Sequence, residues 1–334
     1  MQKTNNSIVV STRIRFARNI ADSLFPHKLS TDDGNNVFTK TANAIEGVFK
    51  QKVYKLQNLS SSDLGIMLEK HLISPKLVRH DDISGVALSA DETISIMINE
   101  EDHLREQCIL PGLNLAEAYN RLDQIDTALD SKLGFAFDPA LGFLTSCITN
   151  VGTGMRASVM LFLPGLSLSG KIATLAQNAN QIGLTIRGEK GEESDSEGYL
   201  YQISNAHSLG VSERDILSLV ETTVRRIIEL EKEERKKLAA STGPQIKDMI
   251  YRAFAILTGA YSLNVDEFNQ MLAQVKLGTV LGLLKFKDEA IFDKLFVACQ
   301  PSALERVAGH PLVGVNENIF RADYVARMLK QNVI

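Results

Sequence analysis

The segment "NEEDHLREQ", residues 99–107, sets Glu100, Glu101 and Asp102 in a row and follows them with Arg105. Other arginines stand where strand-like runs meet loops: Arg13 and Arg15 in "STRIRFARN", Arg156 after the glycine-containing "TNVGTG", and Arg187 at the end of "GLTIRG". Planar guanidinium forks bind phosphate oxygens bidentately and stay charged at any working pH, so such a set suits a nucleoside triphosphate. Carboxylates placed inside it disfavour an anionic acceptor and favour a cationic one. A second acidic point, Glu192 in "GEKGEESDSEG", follows Arg187 in a glycine-punctuated loop. ATP on the arginines with an ammonium or guanidinium on the glutamates describes a phosphoryl transfer.

Each part alone has a plainer explanation. Two residues apart on a strand, Arg13 and Arg15 leave the same face, as a solvated sheet surface would also have it. Alternation sends Glu100 and Glu101 to opposite sides, so only one need face a ligand. If a helical turn begins there, Glu101 and Arg105 form an i,i+4 surface pair worth a few tenths of a kcal/mol. Glycine-rich acidic loops are commonly mobile surface. Two motifs are decoys. "GLSLSGK", residues 165–171, has phosphate-loop spacing but Ile172 where a magnesium-binding hydroxyl is required, and reads as a helix start. "VGTGMRA" lacks the third glycine and later acid of a dinucleotide fingerprint.

Positioning these groups falls to a mixed first part of the chain. "IVVSTRIRFA" and "TISIMINE" alternate as strands with one covered face, and further strands are expected at "GFLTSC", "RASVMLFLP", "GLTIRG" and "YLYQIS". Leu115, Ala118, Leu122, Ile125 and Leu129 fall at helical spacing and predict a helix packed on that sheet. "SERD" predicts the capped start of a long helix at Ser212 with Ile216, Leu219, Val220, Ile227 and Ile228 inward. The pattern breaks at "LAASTGPQ", residues 238–245, beyond which the segments read as a bundle of about four helices. The expected architecture is α+β, with domains at 1–237 and 246–334.

The chain has 334 residues, 44% hydrophobic and 23% charged, the composition of a globular protein that needs no staple. A net charge of −4 and the absence of a long basic run argue against nucleic acid. No apolar signal core and no stretch of about 18 apolar residues is found, so a cytoplasmic protein without a membrane partner is expected. Cys108, Cys147 and Cys299 show no CxxC pairing, which fits a reducing compartment and offers no metal site.

Taken in order and spacing, "STRIRFARN", "NEEDHLR", "TSCITNVGTGMRASVM" and "RGEKGEESDSEGYLYQISN" resemble the ATP:guanidino phosphotransferases, the family of creatine and arginine kinases. "EKHLISPKL" and the helical tail make the chain most similar to the bacterial protein-arginine kinase (McsB-type) branch. The resemblance runs from about residue 8 to the end and implies an antiparallel sheet flanked by helices. It assigns nucleotide phosphates to Arg13, Arg15, Arg105, Arg156 and Arg187, and a nucleotide contact to His71. It lines the same site with the neighbours Ser11, Thr12, Ile14, Ala157, Ser158, Val159, Met160, Gly188, Glu189, Lys190 and Gly191, together with Glu192. It makes Glu101 the catalytic carboxylate, Glu192 a second guanidinium-binding carboxylate and Cys147 the reactive-site cysteine.

The reaction implied is in-line transfer of the γ-phosphoryl of ATP, with Mg2+ held mainly by the nucleotide. A carboxylate of ordinary pKa, about 4, cannot fully deprotonate a guanidinium of pKa above about 12, so the implied role of such a base is orientation and late proton acceptance. With the first motif starting at Ser11 there is no room for the helical lid that small-molecule guanidino kinases carry, and an open site admitting a protein arginine is expected. The resemblance further implies an activator protein, an AAA+ protease system and a homodimer. Three positions depart from the branch: Ile148 for proline, Glu193 for glycine, and "NIFRA", residues 318–322, where only Arg321 and Ala322 match a phosphoarginine-binding motif. Two other readings stay open: a kinase of a free guanidino compound and a catalytically weak adaptor.

Overall fold

The computed structural model describes residues 8–80, 82–188 and 198–334. Glu189, Lys190, Gly191, Glu192 and Glu193 therefore lie outside the described residues. The strands are β1 (Val9–Arg18), β2 (Val53–Lys55), β3 (Gly85–Leu88), β4 (Ile94–Ile98), β5 (Leu104–Pro111), β6 (Phe137–Asp138), β7 (Gly142–Phe143), β8 (Met155–Phe162), β9 (Leu184–Gly188) and β10 (Leu200–Asn205). The helices are α1 (Thr31–Phe49), α2 (Ser61–Glu69), α3 (Leu115–Leu133), α4 (Pro164–Leu168), α5 (Ile172–Gln181) and α6 (Glu213–Ala240). Five more follow: α7 (Pro244–Gly259), α8 (Val265–Val280), α9 (Ile291–Ala298), α10 (Pro301–Ala308) and α11 (Val315–Asn332).

Two compact units result, one of Met1–Leu161, Thr174–Arg187 and Gln202–Ile227, the other of Phe162–Ala173, Gly188–Tyr201 and Ile228–Ile334. Eight strands form one sheet in the order β2-β3-β4-β5-β1-β8-β10-β9, while β6 and β7 pair separately. In the first unit β1 lies antiparallel to both β5 and β8, and β3, β4 and β5 run as an antiparallel series. Alternation sends Ile14 and Phe16 of β1 into the core, where they are 0% and 1% exposed. The helix α3 covers that face of β1 and β5 with Leu115, Ala118, Leu122 and Leu129, four of the five residues its spacing predicts, while Ile125 is half-buried. Ser212 starts α6: its Oγ accepts the Asp215 N–H at 3.1 Å and donates to Asp215 Oδ2 at 2.6 Å.

Several local expectations change. Of "GFLTSC", residues 142–147, only the two-residue β7 forms, and a short 3-10 helix follows at residues 148–150. The strand β5 carries Glu106 and Gln107, 0% and 2% exposed, so buried polar side chains hide its apolar alternation. The glycines of "TNVGTG" serve the chain's own packing: a Cβ on Gly152, at φ +114°, would meet the Ser208 carbonyl oxygen at 2.2 Å, and one on Gly154 would meet Arg18 Nη1 at 2.4 Å. In the second unit the tail holds five helices rather than about four, the added one being α10 between a proline start and Gly309 in the left-handed region. Its core gathers Ile250, Phe268, Phe292, Leu304, Val325 and Leu329.

Candidate active site

Pairing across β1 builds one basic face. Arg15 lies opposite Arg156 on β8 and Gln107 on β5, Arg13 lies opposite Ser158, and Ala17 lies opposite Arg105. Residues directly opposite share a face, so Ser11, Arg13, Arg15, Arg105, Arg156, Ser158 and Met160 look the same way. Thr12, Ile14, Ala157 and Val159 look the other way and are 0% exposed. Thr12 Oγ1 there donates to the Gly112 carbonyl at 2.7 Å and accepts the Asn114 N–H at 3.0 Å. Of the expected lining neighbours, those four side chains shape the sheet from its core rather than from the basic face.

The electrostatics show how close the guanidiniums stand. Burial, then the charges of Arg105 and Arg156, bring Arg13 down to about 10. Arg15 is lowered well below the usual value, first by burial and then by Arg13, Arg105 and Arg156, with Glu100 opposing. Arg156 is lowered by burial and then by Arg187 and Arg105. Arg156 Nη2 donates to Ser204 Oγ at 2.9 Å, and that hydroxyl lies 3.0 Å from Thr185 Oγ1 on β9, the strand of Arg187. His71, exposed at the rim and held at φ +57°, is lowered by desolvation and by Arg13. Its carbonyl accepts from Gln107 Nε2 at 2.6 Å.

One carboxylate answers this charge directly. Glu100 Oε1 accepts from Arg105 Nη1 at 2.8 Å and from Ser74 Oγ at 2.5 Å, while Oε2 accepts the Glu101 N–H at 2.8 Å. Arg13 Nη2 donates to the neutral Gln202 Oε1 at 3.2 Å. The Nε groups of Arg15 and Arg156 are buried and, among the described residues, have no hydrogen-bond partner. Buried donors are nearly always satisfied and buried charges are usually paired, so these two Nε groups stand out among the buried donors of the sheet.

The helical-turn expectation for Glu101 and Arg105 fails, because residues 104–111 are a strand and Arg105 pairs with Glu100. Glu101 instead reaches Lys76, its Oε2 3.0 Å from Nζ, and keeps 32% of its side chain exposed. Cys147 is half-buried at the start of the turn 148–150, with Sγ 3.0 Å from Thr149 Oγ1. Ile148 projects outward, 83% exposed. Glu100, Ser74, Gln202 and Ser204 are the contacts that sequence reasoning missed. Only Glu100 carried a signal, as the second glutamate of the opening run.

In the second unit Arg321 of "NIFRA" is 0% exposed. It donates to the carbonyls of Cys299 and Leu263 at 2.9 and 3.0 Å, to Asn318 Oδ1 at 2.9 Å and to the Glu317 carboxylate. Those partners engage its Nε and both terminal nitrogens, so Arg321 acts as a packing hub of the bundle.

The model of the ATP:guanido phosphotransferase C-terminal catalytic domain matches residues 34–234. The model of the protein-arginine kinase McsB C-terminal domain matches residues 243–333. A protein-arginine kinase of Clostridium tetani is 38% identical over 330 residues, covering 98% of this chain and 97% of that protein. One of Symbiobacterium thermophilum is 40% identical over 328 residues, covering 96% and 93%. One of Clostridium kluyveri is 42% identical over 334 residues, covering 98% and 96%. Among solved structures, lombricine kinase superposes with a TM-score of 0.60 at 26% identity, covering 68% of this chain and 67% of that one. The duplicated taurocyamine kinase of Schistosoma mansoni with bound transition state analog components gives 0.64 at 25% identity, covering 78% of this chain and 39% of that one.

Proposed function

Because the chain belongs to the ATP:guanido phosphotransferase family, we propose that it is a protein-arginine kinase, moving the γ-phosphoryl of ATP onto arginine side chains of proteins. The observation that supports the nucleotide half of this reading is the set of guanidiniums on one sheet face, two of them, Arg15 and Arg156, with a buried Nε that has no partner among the described residues. Relatives named protein-arginine kinase, similar over nearly the whole chain, support the acceptor half.

Arg13, Arg15, Arg105, Arg156 and Arg187 hold the triphosphate and neutralise charge as the bond from the γ-phosphorus to its bridging oxygen breaks. Positioning and electrostatic stabilisation supply most of the acceleration in such transfers. The acceptor nitrogen forms the N–P bond, ADP departs with the bridging oxygen, and the proton released from the guanidinium passes to Glu101 and then to water. A base so placed contributes about 10²–10⁴-fold. Among the described residues no group of three or more His, Cys, Asp or Glu side chains could hold a metal ion. We assign Mg2+ to the phosphates, where it would shield their charge, and Glu192 and Cys147 to the acceptor, both as the resemblance implies. No described helix is long and apolar enough to cross a membrane. A cytoplasmic setting in stress response and protein quality control, an activator protein, an AAA+ protease system and a homodimer complete the reading.

The experiment is incubation with γ-labelled Mg-ATP and an arginine-rich unfolded protein, with free arginine in parallel, followed by acid treatment. Acid-labile label on the protein, reduced about 10²–10⁴-fold in Glu101→Ala, is the expected result. Label on free arginine alone would replace this reading with a small-molecule kinase.

A further inference from the structure

The turn between β4 and β5 that carries Glu101 and the turn that carries Cys147 are joined by a buried side chain used by neither nucleotide nor acceptor in the scheme above. Asp102, 3% exposed, accepts the Ser146 N–H on Oδ1 at 2.6 Å across 44 residues of sequence. The same oxygen accepts Asn19 Nδ2 at 2.6 Å. Asn19 Nδ2 also donates to the Leu144 carbonyl at 3.1 Å, and its Oδ1 accepts the His103 N–H at 2.9 Å. His103 Nδ1 accepts the Ile20 N–H at 3.0 Å, which leaves the ring proton on Nε2, 3.0 Å from the Leu24 carbonyl. Burial holds this imidazole down to about 4, so it is neutral at working pH and keeps that tautomer.

Both residues that follow Glu101 are thus fixed to the end of β1, and the residue that precedes Cys147 is fixed to Asp102. On its other side, the Glu101 N–H is held by Glu100. A main-chain donor bound at 2.6 Å leaves little freedom for the attached turn. We propose that Asp102 is a positioning residue that sets the placement of the Cys147 turn against Glu101, acting through the Ser146 main chain. The inference rests on the reading that Glu101 and Cys147 serve the acceptor. A carboxylate buried here is pushed up by its desolvation. Its task is to accept two hydrogen bonds on one oxygen, and an asparagine carbonyl can do the same.

The test compares Asp102→Ala, Asp102→Asn and Asn19→Ser in the full chain, reading phosphotransfer kinetics and the alkylation rate of Cys147 by iodoacetamide, followed by peptide mapping. Cys108 and Cys299 are 0% exposed, which leaves Cys147 as the accessible thiol. In Asp102→Ala we expect kcat to fall about 10- to 100-fold, KM for Mg-ATP to stay within about twofold, and Cys147 alkylation to change at least about threefold. Asp102→Asn should stay within about threefold of the unaltered protein on every readout. Asn19→Ser, which removes one of the two bonds to the same oxygen, should fall between them, and it carries the test if Asp102→Ala fails to fold. A wild-type alkylation rate in the folded Asp102→Ala or Asn19→Ser protein would overturn the proposal. So would Asp102→Asn falling as far as Asp102→Ala, since the charge itself would then be the active feature. If the unaltered protein transfers no phosphoryl group, the functional reading fails, and the alkylation comparison still decides the brace.

Discussion

Arg15 in the first unit is half-buried and Arg321 in the second is 0% exposed, and their surroundings are opposite. Arg321 spends its donors on two carbonyls, an amide oxygen and a carboxylate. Arg15 keeps a buried Nε without a partner among the described residues, and burial, then the charges of three other guanidiniums, push its pKa down. The same contrast recurs on the two faces of one strand. Arg18 of β1, 1% exposed, binds Asp126 bidentately at 2.9 Å and lies against the rings of Phe16 and Phe143. An arginine whose three nitrogens are all engaged stabilises the fold that engages them. One left incomplete among like charges costs stability, a cost that the nucleotide proposed above would offset.

The sharpest break of this comparison is Arg15→Ala. We expect kcat/KM to fall by about 10³ or more, as for other arginines that stabilise a transferring phosphoryl group. The melting temperature should hold or rise, because one of several repelling charges is gone. Mg-ATP at 100 times its Kd should stabilise the unaltered protein by about 2.7 kcal/mol and raise its melting temperature, a shift that Arg15→Ala should lack. A loss of stability in step with the loss of activity would make Arg15 another structural arginine.

Arg321→Ala should do the reverse. Removing one partner of a buried charged pair leaves the others unsatisfied and costs about 3–5 kcal/mol, read from urea unfolding of the full chain. A change under about 1 kcal/mol would place Arg321 outside the load of the bundle.

The smallest effect concerns pH. His103 titrates at about 4 in the folded chain and at about 6.5 unfolded, because burial disfavours its charged form. On acidification the unfolded state takes up the proton first. The stability His103 lends is therefore complete above about pH 6.5 and is lost as pH falls towards 4, about 2 kcal/mol of it between pH 7 and pH 5. Asp102, whose folded carboxyl is raised, works with the opposite sign nearer its own range and offsets part of the loss at lower pH. Denaturant melts at pH 7 and pH 5 for the unaltered chain and His103→Gln measure this, and the variant should show the smaller slope.

Much of the first unit was legible from alternation and spacing. The strands at 9–18 and 155–162, the helix over 115–133 and the capped start at Ser212 follow from side chains that each choose one face or one partner nearby. The basic face was legible for the same reason, since residues two apart on a strand must share a side. The strand β5 was hidden because its buried Glu106 and Gln107 interrupt the apolar pattern, and their acceptance in the core depends on neighbours from other elements. The helix α10 was passed over although proline and glycine bracket it.

The choice between Glu100 and Glu101 as partner of Arg105 was beyond the sequence. Both lie in one run of charge, and only the tight turn from β4 into β5 turns one carboxylate towards the arginines and leaves the other for Lys76. What the sequence determined by itself is the inventory and its local periodicity: which arginines share a face, where strands and helices begin, and the motifs that make the chain a guanidino kinase relative. Tertiary structure alone decided which guanidiniums are satisfied and which are left open. Satisfaction depends on partners contributed from distant strands, helices and helix ends, Gln202 for Arg13, Asp126 for Arg18, Cys299 for Arg321, and no local pattern encodes a hydrogen bond across so much chain.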